Sequence, residues 1–136
     1  GTVNVAANEG FDNNAALTVT DALNIETGAT LNNTSDITVA NDDPENTPAN
    51  LNNAGTLNSI GTQDTKANVV ADTMTNTGEI NLTNSVVKVV YQAGDIEGTI
   101  NVLGTSPDDT SDLSITGEKP DFTGALNVGN DEASTT

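Results

Sequence analysis

Six times in this chain a glycine is followed, within a few residues, by an aliphatic residue and then an asparagine. The tight form Gly-x-(Val/Leu/Ile)-Asn-x occurs at Gly1-Thr2-Val3-Asn4-Val5, Gly55-Thr56-Leu57-Asn58-Ser59, Gly78-Glu79-Ile80-Asn81-Leu82, Gly98-Thr99-Ile100-Asn101-Val102 and Gly124-Ala125-Leu126-Asn127-Val128, with a looser copy at Gly28-Ala29-Thr30-Leu31-Asn32. Glycines 1, 28, 55, 78, 98 and 124 give successive differences of 27, 27, 23, 20 and 26 residues. Such a length suits one turn of a stack in which each coil is two or three short strands and the next coil lies on it.

A second pattern follows each glycine motif. It is an apolar alternation: Leu17-Thr18-Val19-Thr20, Ile37-Thr38-Val39-Ala40, Val69-Val70-Ala71, Val87-Lys88-Val89-Val90 and Leu113-Ser114-Ile115-Thr116. Because alternate residues of a strand share a face, Val3, Leu57, Ile80, Ile100 and Leu126 are expected to stack as one aliphatic column. Leu17, Ile37, Val69, Val87 and Leu113 are expected as a second, facing it. The repeated Asn4, Asn58, Asn81, Asn101 and Asn127 then form a hydrogen-bonded ladder. The glycines serve a corner, by a left-handed backbone or by close approach of neighbouring coils. Polar stretches rich in Asp, Asn, Gly and Pro, at 6–14, 41–50, 60–68 and 104–109, read as loops that absorb the variation in coil length.

The reading is therefore an all-β fold, a right-handed parallel β-solenoid (β-helix) of about five or six coils over residues 1–129, with 130–136 as a flexible tail or linker. Composition agrees. Val, Ile and Thr outnumber strong helix formers over most of the chain, and Phe11, Tyr91 and Phe122 are its only aromatic residues, so the core must be thin and aliphatic. A net charge of −17 with low hydrophobicity is also met in disordered chains, but here the apolar residues are patterned rather than scattered.

The segments Asn53-Ala54-Gly55-Thr56-Leu57-Asn58, Asn76-Thr77-Gly78-Glu79-Ile80-Asn81 and Glu97-Gly98-Thr99-Ile100-Asn101-Val102 resemble the coils of bacterial β-helical surface exoproteins. These are autotransporter passenger domains, filamentous-haemagglutinin-like adhesins and their Gram-positive counterparts. The resemblance implies an extracellular rod at the cell surface, used for attachment, self-association or biofilm formation. Its partners would be a host or neighbouring-cell surface protein or glycan, or further copies of the chain. An alternative is a self-assembling extracellular filament or surface-layer subunit, since no amphipathic capping helix is visible at either end of the stack. The resemblance transfers no functional residue.

Charge and residue inventory narrow the chemistry. Twenty acidic residues stand against Lys66, Lys88 and Lys119, with no Arg and no His, so nucleic acid and anionic membrane surfaces are repelled. No apolar run approaches the roughly 20 residues that span a bilayer, and the first residues lack the basic and apolar regions of a signal peptide. Polysaccharide-cleaving β-helices need a base or a pair of carboxylates on facing strands. Here the acids fall almost entirely in predicted loops, which argues against an enzyme.

Calcium is the one cofactor the sequence raises, through oxygen donors at Asp42, Asp43 and Glu45, at Asp108, Asp109 and Asp112, and at Glu9 with Asp12. Their spacing matches neither a calcium helix-loop-helix nor the Gly-rich nonapeptide roll. Ice binding would need unbroken ranks of outward threonine. The outward columns Thr18, Thr38, Val70, Lys88, Ser114 and Thr20, Ala40, Asp72, Val90, Thr116 are interrupted by a lysine and an aspartate.

Overall fold

A computed structural model describes residues 1–104, 106, 108–117 and 122–129. The expected tail, 130–136, lies outside the described residues. The chain is all-β, with parallel sheets stacked as a β-solenoid of about five turns.

Each complete coil supplies three strand segments. The first comprises β1 (Thr2–Val5), β2 (Gly10–Asn13) and β3 (Leu17–Val19); the second β4 (Ala22–Ile25), β5 (Thr30–Asn33) and β6 (Asp36–Val39). Then follow β7 (Asn50–Asn53), β8 (Thr56–Ile60), β9 (Ala67–Asn76), β10 (Glu79–Thr83), β11 (Ser85–Ile96), β12 (Thr99–Val102), β13 (Asp112–Ile115) and β14 (Ala125–Val128). Strands β2, β5, β8, β10, β12 and β14 form one six-stranded sheet, and the other eight form the second. The long strands β9 and β11 explain that division, because each turns a corner. In β9, residues 68–71 pair with β6 and residues 73–76 pair with β7, so one strand serves two faces and two coils.

The column Leu17, Ile37, Val69, Val87 and Leu113 forms as expected, each residue in register with the next. The column through Leu57, Ile80, Ile100 and Leu126 also forms, continued downward by Leu31 and Phe11. Val3 does not belong to it. Its strand pairs with β4, placing Val3 beside Leu23 and Val5 beside Ile25, so Val3 starts a further column through Leu23, Leu51, Met74 and Ala93. The core is consequently fed from three faces rather than two. Residues 10–13, expected within a loop, are strand β2, held by register with Thr30–Asn33.

Leu23, Leu31, Leu51, Leu57, Met74, Ile80, Ile96 and Ile100 are fully buried. Each buried aliphatic side chain contributes on the order of 1.5–3 kcal/mol relative to exposure. Phe11, the one ring in this column, lies in the first coil, 37% exposed over the end of the column.

Corners interrupt the ladders, and the residues there are polar for that reason. Asn13 Nδ2 donates to Asn33 Oδ1 at 2.9 Å, Asn33 Nδ2 donates to Ser59 Oγ at 3.2 Å, and Ser85 Oγ donates to Ser59 Oγ at 2.7 Å. These four side chains are buried and make a polar seam one coil high at each step. At a second corner Asn53 Nδ2 donates to Asn76 Oδ1 at 2.8 Å. Asn53 Oδ1 has no partner, since the residue in register beneath it is Ile25.

The glycines act by close approach. A β-carbon on Gly78 would come within 2.0 Å of the Gly55 carbonyl oxygen, and one on Gly98 within 2.0 Å of that of Gly78. The cause is hydrogen bonding: Glu79 N–H donates to Gly55 O and Thr99 N–H to Gly78 O, both at 2.9 Å, pulling one corner onto the next. Gly28 differs. It has φ 84°, directly above Asn8 at φ 65°, so in the first two coils the corner is a wider turn with a left-handed residue.

Candidate functional site: insertions, outer faces and ends

Along the outside of the six-stranded sheet, one side-chain amide per coil points outward. Asn32 Nδ2 donates to Asp12 Oδ1, Asn58 to Asn32 and Asn81 to Asn58, each at 2.9 Å. Asn101 to Asn81 and Asn127 to Asn101 follow at 2.8 Å. The sequence separations of these pairs are 20, 26, 23, 20 and 26 residues, so the stacking register is kept while coil length varies. This is the expected ladder with one change. Asn4 belongs instead to a second ladder, accepting from Asn24 at 2.7 Å, with Asn52 donating to Asn24 at 2.8 Å.

Extra residues enter at two of the three corners. Residues 40–49 leave after β6, while 61–66 and 103–111 leave after β8 and β12. From Gly55 upward the third corner, between β7 and β8 and its successors β9/β10 and β11/β12, takes none, because the glycine contacts leave no room; below it, between β1 and β2 and between β4 and β5, the turn is wider.

The insertion after β6 is organised from its base by Asp72. That carboxylate, expected on an outward strand position, is 3% exposed, and its Oδ2 accepts the backbone N–H groups of Asn41 at 2.7 Å and Ala49 at 3.0 Å. It sits where β9 bends, a corner whose backbone donors need an acceptor. Nothing in the alternating pattern around Val69-Val70-Ala71 marks it, and only the adjacent long insertion hints at it.

The calcium candidates are spread out. Asp42, Asp43 and Glu45 are exposed on the tip of that insertion, with Asp43 Oδ2 accepting from Asn46 Nδ2 at 3.0 Å. Asp108 is exposed, and Asp112 opens β13 with its side chain outward. Asp109 is 5% exposed and committed to protein donors: Asn84 Nδ2 at 2.9 Å and the Ser106 N–H at 3.1 Å. Glu9 is exposed in a turn, and Asp12 ends the outer amide ladder. Among the described residues no three acidic side chains converge as a metal site would require.

A shallow depression of about 560 Å³ is lined by Tyr91, Gln92, Thr116 and Gly117. Tyr91, 38% exposed, lies in the irregular stretch of β11 between Val89 and Gln92, where a bulge turns its ring outward. Among the described residues no further coil covers the inward positions of the first and last strands: Phe11 is 37%, Leu126 47% and Val128 54% exposed. No helix among the described residues is long and apolar enough to cross a membrane.

With the geometry in place, comparison with known proteins adds no relative: no protein-family model matches the chain, and no curated protein or solved structure is significantly similar to it.

Proposed function

We propose that this chain is a structural and adhesive module of an extracellular bacterial surface protein, a solenoid rod whose insertions make the contacts. One observation carries the reading. The inward columns, the amide ladders and the glycine corner hold coil on coil, whereas the exposed residues Asp42, Asp43, Glu45, Gln63 and Asp64 stand on insertions outside them. Fixed scaffold and variable loops is the usual division in proteins that bind through loops.

The acidic tip at Asp42, Asp43 and Glu45 suits a basic or cation-bridged partner, and the exposed ring of Tyr91 suits stacking against a sugar. Replacing residues 42–47 by a two-residue turn tests this directly. The variant should keep its cooperative melt and lose binding to the cognate cell surface or matrix; full retention by this variant and by Tyr91→Ala would refute it.

A second reading is a self-assembling filament. It is motivated by the apolar residues exposed on the terminal coils and by β2 and β14, which among the described residues pair on one side only and invite a further coil or a second copy. Electron micrographs at rising concentration decide: long fibres favour it, and a monodisperse rod at high concentration excludes it.

A further inference from the structure

The outer amide ladder leaves bonding capacity unused on the outside of the six-stranded sheet. Asn32, Asn58 and Asn101 each donate one Nδ2 hydrogen to the rung below and accept one hydrogen on Oδ1 from the rung above. A carboxamide has two N–H donors and two oxygen lone pairs, so each of these rungs keeps one donor and one acceptor for a partner outside. Asn81 differs, because its second N–H goes to Glu79 Oε1 at 2.7 Å.

Two residues before each amide, and so on the same side of the sheet, stand Thr30, Thr56, Glu79 and Thr99, in register with one another. Two residues beyond Asn58 and Asn101 stand Ile60 and Leu103, 48% and 39% exposed. The outward strip thus reads hydroxyl, amide and apolar side chain at Thr56, Asn58 and Ile60, and again two coils higher at Thr99, Asn101 and Leu103.

We propose that this strip binds an extended, uncharged polysaccharide laid lengthwise along the rod. A sugar hydroxyl both donates and accepts, which matches rungs that offer one of each. The rungs repeat at the strand spacing of about 4.8 Å whatever the length of the coil. A sugar in an extended chain advances by close to that distance, so successive sugars meet successive rungs. The C–H faces of the rings lie against Ile60 and Leu103.

Charge sets the class of glycan. The chain carries a net −17 and repels a polyanion, whereas the asparagines and threonines of the strip are neutral and Glu79 accepts hydroxyls. The threonine rank is broken by Glu79 and ends in Ala125, so it is not the unbroken hydroxyl array that ice would need. Each rung contributes little alone, since its bonds replace bonds to water. Binding therefore grows with the number of rungs engaged at once. The strip lies outside the insertions, and its binding does not depend on their adhesive role.

Native electrophoresis of the folded chain through gels containing glucomannan, an extended neutral glycan, tests this together with sedimentation on chitin powder. Glucomannan should retard the chain and chitin should carry it down. Gels with starch, whose chains coil, or with alginate, an extended polyanion, should not retard it, and cellobiose should not compete. Asn58→Ala/Asn101→Ala and Thr56→Val/Thr99→Val should each weaken retention about tenfold or more while keeping a β-sheet circular dichroism spectrum. Valine preserves the branched strand-forming shape, so the second variant serves if the alanines impair folding. Thr18→Val/Thr38→Val, on the outer face of β3 and β6, should migrate as the wild type does. Failure to bind both glucomannan and chitin overturns the proposal, as does equal retention by starch or alginate. Retention that survives both strip variants but is lost when 42–47 is replaced or in Tyr91→Ala also overturns it, and places the glycan on the insertions or the ring instead.

Discussion

Gly78 sits so close above Gly55 that a β-carbon on the upper residue would reach within 2.0 Å of the lower carbonyl oxygen. The atom in the way is backbone, and it is already accepting the Glu79 N–H, so it has nowhere to move without breaking the ladder. Gly78→Ala should therefore cost about 3–4 kcal/mol, measured by urea denaturation. Gly10→Ala is the control: the nearest atom to its β-carbon would be 3.9 Å away, and the change should stay within about 0.5 kcal/mol.

Ile80 and Asn81 are neighbours with opposite tasks. Ile80 is fully buried, so Ile80→Asp places a carboxylate in an aliphatic column and should cost several kcal/mol, on the order of 4 or more. Asn81→Ala breaks the outer ladder at two bonds, those with Asn58 and Asn101. Water replaces them in part, so its cost should be about 1 kcal/mol. Equal losses from the two substitutions, read in the same denaturation series, would contradict the assigned register.

Much of this architecture is legible in the sequence, and the exceptions have physical causes. The face containing Leu17, Ile37 and Val69 stands out because β-branched residues alternate with polar ones. The face containing Leu23, Leu51 and Met74 does not, since its strands read Ala-Leu-Asn-Ile, Asn-Leu-Asn-Asn and Thr-Met-Thr-Asn, where asparagine occupies inward as well as outward positions. Val3 is misassigned from sequence because Gly1-Thr2-Val3-Asn4-Val5 mimics the corner motif one face too early. The Asn84–Asp109 pair lies beyond any local pattern: the two residues are 25 apart in different connections, and only the stacking brings them together.

Buried asparagines should differ in worth according to what they satisfy. Asn33 donates to Ser59 and accepts from both Asn13 and the Ser35 N–H. Asn33→Ala orphans several buried groups and should cost about 2–3 kcal/mol or more. Asn53 carries an unpartnered oxygen above Ile25, so Asn53→Ala removes an existing penalty along with its bonds to Asn76 Oδ1 and the Glu79 carbonyl and should cost less than Asn33→Ala. Thermal melts of the two variants side by side give the ranking.

Asp72 fastens the insertion after β6 through two backbone N–H groups. Hydrogen bonds to a charged acceptor are worth roughly 1.5–3 kcal/mol. Asp72→Ala should release residues 41–49, seen as faster amide hydrogen exchange and protease cleavage in that stretch, while exchange in β12 remains slow.

The acidic insertions repel one another, and screening should relieve that strain. Raising sodium chloride is expected to raise the melting temperature. At matched ionic strength, calcium and magnesium should act alike, given that no three acidic side chains converge among the described residues. A selective rise with calcium in the wild type that disappears in Asp42→Asn/Asp43→Asn would instead locate a site on that tip.

One edge of the stack is closed by glycine against carbonyl, and the other two admit segments of differing length. A protein built this way has a binding edge like that of a book, where every leaf is sewn, and open margins that can be rewritten without resewing. Foreign peptides grafted at 42–47 or 62–65 should be carried without loss of the rod, whereas a single residue inserted between Thr77 and Gly78 should not, and divergence among such chains would accumulate along the margins while the sewn edge stays uniform.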